Sequence, residues 1–133
     1  KMTNLRAEKI ERVANSIPKQ QVIGSETGDL LVVGWGGTYG ALYTAVVEMQ
    51  EEGHSISLAQ FNYMNPLPLN VSDIFGKFRK IIVCELNLGQ FAAYLRSKLP
   101  QYTYLQFNKV QGLPFLISEL KHKFAEVLNE KKQ

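Results

Sequence analysis

Cysteine is nearly absent from this chain: Cys84 is the only one in 133 residues. One thiol cannot close an internal disulfide or ligate an iron–sulfur cluster, and it suits a reducing compartment, so a cytoplasmic location is expected. Histidine is almost as scarce. His54 follows a helix-ending glycine and His122 lies between two lysines, both solvated settings, and no pair of residues has zinc-ligand spacing. No Ser-His-Asp or Cys-His set stands out, and no Gly-Lys-Ser/Thr marks a nucleotide loop. No apolar run approaches the ~20 residues of a membrane span, and no signal-peptide pattern stands at the start. Repeats, low-complexity runs and internal linkers are missing too, so one domain is expected over 1–133.

Charge is sparse and uneven. The net charge is +3; residues 1–20 hold five basic and two acidic side chains, and residues 121–133 hold four and two. The basic character therefore belongs to two terminal helices rather than to a groove, and argues for solvated helix faces over nucleic-acid binding. Lys1 precedes Met2 and a charged helix, which reads as a piece of a longer protein.

What is present centres on Asp29-Leu-Leu-Val-Val-Gly-Trp-Gly-Gly-Thr-Tyr-Gly40. An apolar run breaks into glycines at 34, 36, 37 and 40, and a helical pattern starts behind them. That pattern predicts a buried parallel strand, a tight turn and a helix over 37–52 capped by Gly53. Around it the sequence predicts a leading helix (4–17, within 1–18), a short strand over 20–25, and a strand over 55–61. A proline-fixed loop follows over 62–70, then a short helix capped by Asn70 that carries Ile74, Phe75 and Phe78. A second buried strand is expected over 80–85, with a helix from the 87–90 turn to Leu99. A strand over 102–107 and a final helix with Pro114 in its first turn complete the order. The apolar face of that helix is read as Leu116, Ile117, Leu120, Phe124, Val127 and Leu128.

Alternating strands and helices predict a mostly parallel sheet with helices on both faces. If the strands at 30 and 80 are neighbours, their helices leave to opposite faces and their carboxyl ends flank a topological switch point. The candidate surface there is Gly34, Trp35, Gly36, Gly37, Thr38, Tyr39 and Gly40 facing Glu85, Asn87, Gly89 and Gln90. Arg96 on the following helix is a candidate partner for Glu85. A nicotinamide site fits poorly, because the next strand ends at Gln60-Phe61 without an acid for a ribose hydroxyl. Close strand–helix packing is the favoured role of the glycines; their N–H groups receiving an anion or a carbonyl from another domain stays open. Glu85 reads as an ion pair or cap, with a shifted catalytic acid as the sharper alternative. Cys84 reads as core. Met64, Asn65, Pro66, Leu67, Pro68 and Leu69 form a loop too apolar for a bare linker, and read as a docking loop that lies against the body of the domain or against another chain.

Taken in order, several motifs resemble one family. They are Leu-Val-Val-Gly-Trp-Gly-Gly-Thr-Tyr-Gly, an Asn-Pro-Leu-Pro loop, Val-Cys-Glu-Leu-Asn-Leu-Gly-Gln-Phe with Leu95-Arg96, and Asn108-Lys-Val-Gln-Gly-Leu-Pro-Phe115. Together they resemble the C-terminal domain of the alpha subunit of 2-oxoacid:ferredoxin oxidoreductases, the 2-oxoglutarate branch in particular. The opening helix with Arg6 and Lys9 is similar to the segment that precedes this domain in the family. Gly37 departs from the serine expected there.

The resemblance implies a transketolase C-terminal-like α/β/α sandwich on a five-stranded sheet of order 1-3-2-4-5, its first strand (20–25) antiparallel. It implies a parent complex that uses thiamine diphosphate and magnesium to decarboxylate a 2-oxoacid oxidatively. Electrons would pass through an iron–sulfur cluster to ferredoxin, and the acyl group to coenzyme A. Partners would be the other alpha-subunit domains and a beta subunit, with no nucleic acid and no membrane. The domain alone would be inactive: it carries no catalytic residue, metal ligand or assigned cofactor contact, and contributes packing, orientation and part of a coenzyme A or acyl-transfer surface. Two alternatives stay open, the matching domain of a transketolase or 2-oxoacid dehydrogenase beta subunit, and a free-standing small-ligand module.

Overall fold

The computed structural model describes residues 17–64, 67–86, 89–109 and 113–129. Residues 4–16 of the predicted leading helix lie outside them.

Strand β1 (Gly28–Trp35) carries the run Leu30 to Val33, every residue fully buried. A chain covered on both faces has no polar side to show, which is why the run is continuous rather than alternating. A single turn of 3-10 helix over Gly36–Thr38 leads into helix α1 (Tyr39–Glu51). Strand β2 (Ile56–Phe61), helix α2 (Val71–Phe75), strand β3 (Phe78–Glu85), helix α3 (Gln90–Lys98), strand β4 (Tyr104–Asn108) and helix α4 (Ile117–Asn129) follow.

The sheet runs β2-β1-β3-β4, all parallel. β1 and β3 are therefore neighbours, with Val33 in register with Val83. Residues alternate between two cores. Leu30, Val32, Ile82 and Cys84 pack with Leu42, Val46 and Met49 of α1 and Leu120, Phe124 and Val127 of α4. Leu31, Val33, Ile81 and Val83 pack with Ile74 and Phe75 of α2 and Phe91, Ala92 and Leu95 of α3. This is the expected three-layer sandwich, with the helices that follow β1 and β3 on opposite faces.

The fifth strand is reduced to one antiparallel bridge, Ile23 to Leu58. It lies beside β2, as the 1-3-2-4-5 order places it. It does not extend because its neighbours are held otherwise. The Gln20 N–H and C=O pair with the side-chain amide of Asn70 at 2.8 and 3.0 Å, and the Ser25 carbonyl accepts from the Ser57 hydroxyl at 2.6 Å. Asn70 thus precedes α2 but spends its side chain on this segment instead of capping the helix. Ser57, which alternates with Ile56 and Leu58 in the strand, is buried for the same reason. Phe78 begins β3 rather than extending α2.

Helix α4 starts three residues after Pro114. Glu119, at the third position, accepts the Leu116 N–H at 2.8 Å and an ion pair from Lys109 at 2.6 Å. This is half of a capping box. It leaves Leu116 and Ile117 exposed, off the apolar face predicted for them. Lys121 ties α4 to Glu48 and Glu52 of α1 at 3.1 and 2.7 Å.

The glycines divide by role. A Cβ at Gly34 would press on Leu42 Cδ1 and lie 2.8 Å from Gln60 Oε1 and 3.0 Å from Thr38 Oγ1, whereas Gly40 faces open space. Gly34→Ala is expected to destabilise the chain by about 1–3 kcal/mol through overpacking, and Gly40→Ala to stabilise it by roughly 0.5–1 kcal/mol. Urea titrations of the two variants check this, and equal effects would contradict it.

Lys109 and the Leu116 N–H lower the Glu119 pKa in the folded chain. Their contribution is present above the unfolded carboxyl value of about 4.3 and is lost as pH falls through the lower folded value. Stability of Glu119→Gln should therefore fall less steeply on the acid side than that of the parent chain, as read from thermal midpoints between about pH 2 and pH 6.

Candidate functional site

Register alone brings the predicted surface together. Two residues beyond the Val33–Val83 pair, Trp35 and Glu85 end adjacent strands on the α3 side of the sheet. The β3-to-α3 connection must then start a helix without a local cap. Gly89 stands at its N-cap position in the left-handed region (φ +83°), and glycine has no side chain to accept a hydrogen bond. A Cβ at Gly89 would also collide with the Gln106 amide.

Glu85 fills that gap from the strand. Its side chain is 0% exposed. Oε1 accepts the Phe91 N–H at 2.8 Å and Oε2 accepts the Ala92 N–H at 2.9 Å. Oε1 also accepts the indole N–H of Trp35 at 3.1 Å. A buried carboxyl needs such partners, and an acid is favoured at a helix N-terminus, where unpaired N–H groups and the helix dipole converge.

Of the two alternatives for Glu85, the geometry is that of a cap. Arg96 does not meet it. The guanidinium donates instead to the Tyr104 carbonyl at 3.0 Å and to Gln106 Oε1 at 2.9 Å on β4. The reason is direction: Arg96 lies in the last turns of α3, whereas Glu85 sits under its first turn. Cys84 is core, as read. Burial first, then the neighbouring Glu85, pushes its thiol far above the ordinary range, so it is no nucleophile.

The glycine turn is anchored from the other side. Gly36 takes φ +66°, and its carbonyl accepts the Gln60 amide N–H at 3.2 Å. The Thr38 hydroxyl donates to the Trp35 carbonyl at 3.0 Å. Gln60 therefore supports the turn, at the strand end where a dinucleotide site would place an acid.

One cleft opens where these elements meet. It encloses about 240 Å³ and is lined by Trp35, Met64, Gln90, Phe91 and Tyr94. Phe91 is its floor. It meets Trp35 edge-on with centroids 6.4 Å apart, and Tyr94 stacks on it at 6.3 Å and 18°. The structure thus joins one residue of the apolar loop, Met64, to the switch-point surface. Phe91 and Tyr94 were missed in the sequence because an aromatic at helical spacing reads as core. Asn65, Pro66 and Asn87 lie outside the described residues. In the rest of the loop, Leu67 packs into the α2–α3 core, Pro68 is buried, and Leu69 is 62% exposed. Among the described residues no cluster of three His, Cys, Asp or Glu could hold a metal ion, and no helix is long and apolar enough to cross a membrane.

Three solved structures share the architecture. The chain superposes with TM-score 0.87 on 2-oxoglutarate:ferredoxin oxidoreductase from Magnetococcus marinus, a structure with 2-oxoglutarate, coenzyme A and succinyl-CoA bound. Identity is 25%, over 96% of this chain and 23% of that one. The alpha chain of a probable 2-oxoacid ferredoxin oxidoreductase from Thermoplasma acidophilum gives TM-score 0.59 at 24% identity, covering 84% and 98%. A split-gene transketolase, an inactive beta4 tetramer, gives 0.65 at 13% identity, covering 86% and 42%. Those last two show the fold alone. The class is thus the α/β/α domain shared by transketolase and the 2-oxoacid:ferredoxin oxidoreductases.

Sequence narrows it further. The 2-oxoglutarate oxidoreductase subunit KorA of Mycobacterium tuberculosis is 35% identical over 125 residues, which is 90% of this chain and 18% of the relative's own length. The chain is homologous to a domain of the 2-oxoglutarate:ferredoxin oxidoreductase subunits. No family model matches it.

Glu85→Ala would orphan three N–H donors at a buried site, each worth about 1–3 kcal/mol. A loss of at least about 3 kcal/mol is expected, with Glu85→Gln, which keeps one carbonyl acceptor, losing less. Trp35 is the only tryptophan, so its emission should shift in both variants. Unchanged emission would show that the indole does not depend on this contact.

Proposed function

We propose that this chain is an accessory domain of a thiamine-diphosphate-dependent 2-oxoacid:ferredoxin oxidoreductase, working within a longer alpha subunit in a cytoplasmic complex with a beta subunit. The whole complex would decarboxylate 2-oxoglutarate oxidatively, pass electrons to ferredoxin and form succinyl-CoA. The domain itself would orient and pack against its neighbours. Homology to KorA over 90% of the chain supports the family. The accessory role is supported by one observation above the others. At the switch point, where open α/β sheets hold their ligands, the Phe91 and Ala92 N–H groups in the first turn of α3 are already taken by Glu85.

The residues present do not fit the family's cofactors. A single buried cysteine cannot ligate a cluster. Among the described residues no cluster of three or more His, Cys, Asp or Glu could hold a metal ion. Thiamine diphosphate, magnesium and the iron–sulfur cluster would therefore belong to other parts of the complex. The ferredoxin branch is favoured over the transketolase branch because the similarity is higher on both measures, 25% and 0.87 against 13% and 0.65.

Three outcomes are expected. In calorimetry the chain takes up no thiamine diphosphate with magnesium; tight binding would overturn the accessory role. In the full-length subunit, Leu69→Asp weakens assembly while leaving this domain folded. Leu67→Asp instead lowers the domain's stability, because Leu67 packs inward.

A further inference from the structure

Charge is distributed along this fold by strand end. Residues 30–47, 55–72, 86–95 and 110–118 contain no Asp, Glu, Lys, Arg or His. These stretches include the whole of the connections that leave the carboxyl ends of β1, β2 and β3, and all of the one that leaves β4 except its first residue, Lys109. Glu85, the acid at that edge, is buried and spent on α3 and Trp35. Lys109 and Glu119, which flank the last stretch, neutralise each other at 2.6 Å. The opposite edge is dense in charge. Glu51 and Glu52 lie at the end of α1, Lys77 before β3, and Asp29 and Arg79 pair at 3.7 Å where β1 and β3 begin.

Large apolar side chains follow the same polarity in reverse. Tyr39, Tyr43, Tyr63, Leu113, Leu116 and Ile117 are between 38% and 56% exposed. Tyr63, Leu113 and Leu116 sit in connections behind the carboxyl ends of strands, and Tyr39, Tyr43 and Ile117 in the first two turns of the helices that follow. Tyr39 and Tyr43 pair with centroids 5.6 Å apart, and the aromatic cleft of Trp35 and Phe91 opens at this edge. Depletion of charge together with exposed Tyr and half-buried Trp and Met is the signature of an interface core, not of a free surface. A phosphate-bearing ligand would need cations, which these stretches do not supply.

We infer that the carboxyl edge of the sheet docks on an uncharged, apolar polypeptide surface of the same oxidoreductase, with one apolar side chain of that surface seated in the Trp35–Met64–Phe91–Tyr94 cleft. The inference rests on the proposed function and names its partner. The chain spans 18% of the length of its curated relative and 23% of its structural one, so most of such a protein lies beyond it and is available to cover this edge. The occupant carries no charge because any charge there would be desolvated without a counter-charge.

The test uses the assembled full-length complex. Hydrogen exchange is measured for it and for complexes carrying Tyr43→Glu, Leu116→Glu or, as a control at the opposite edge, Lys77→Glu. All three positions are exposed, so the domain's fold is not at stake. In the unmodified complex the backbone of 36–43, 62–64 and 113–116 should exchange at least about tenfold more slowly than in either edge variant. The control should match the unmodified complex. Protection should persist between about 0.05 M and about 0.5 M salt, since no ion pair contributes. Unprotected segments, protection lost with salt, or equal loss in the control would overturn the inference. Displacement of the protecting surface by coenzyme A would overturn it too, by showing a phosphate ligand at this edge. A complex that does not form at all with the unmodified chain would instead overturn the proposed function.

Discussion

A carboxyl group buried at the end of a central strand must find hydrogen-bond donors or be expelled, and the carboxyl end of this sheet is built around meeting that demand for Glu85. The donors come from two separate elements, the indole of Trp35 on β1 and the first turn of α3. That single group therefore ties the glycine turn to the next helix across the switch point. Two further features become intelligible from it. Gly89 can leave α3 without a cap of its own because the cap arrives from the strand. Phe91, whose N–H is held, is fixed as the floor between Trp35 and Tyr94.

The same constraint bears on function. In open α/β sheets the helix N-termini at a switch point are the usual means of holding an anion. Here one of them is occupied by the protein's own acid. What remains accessible is aromatic and uncharged, a surface suited to another apolar surface rather than to a phosphate. The chain is homologous to a domain of the 2-oxoglutarate:ferredoxin oxidoreductase subunits, and it carries one cysteine, with no cluster of three His, Cys, Asp or Glu among the described residues.

Much of the fold was legible from local pattern. Leu30 to Val33 and Ile81 to Cys84 are apolar without interruption because both faces of the sheet are covered. The helix of Leu42, Val46 and Met49 shows the spacing of a one-sided face. Where the reading failed, a long-range partner had outcompeted a local one. Asn70 precedes a helix, yet its amide serves Gln20, fifty residues away. Arg96 lies on the helix that Glu85 caps, yet donates to Tyr104 and Gln106 of β4. Ser57 alternates with apolar residues, yet is buried under Ser25. The charge-free stretches were visible in the sequence, but their meaning was not, because they are separated along the chain and adjacent only at the strand ends.

The amino-acid order by itself determined the strands, the principal helices, the parallel class and the family resemblance, since periodicity and glycine placement act over one element at a time. Which groups share the switch point was decided only by tertiary structure. Strand register sets Trp35 beside Glu85, and no pattern within either segment encodes that register. The choice between ligand cradle and closed, docking edge depends on it, because hydrogen-bond partners fifty residues apart exist only once the sheet has formed.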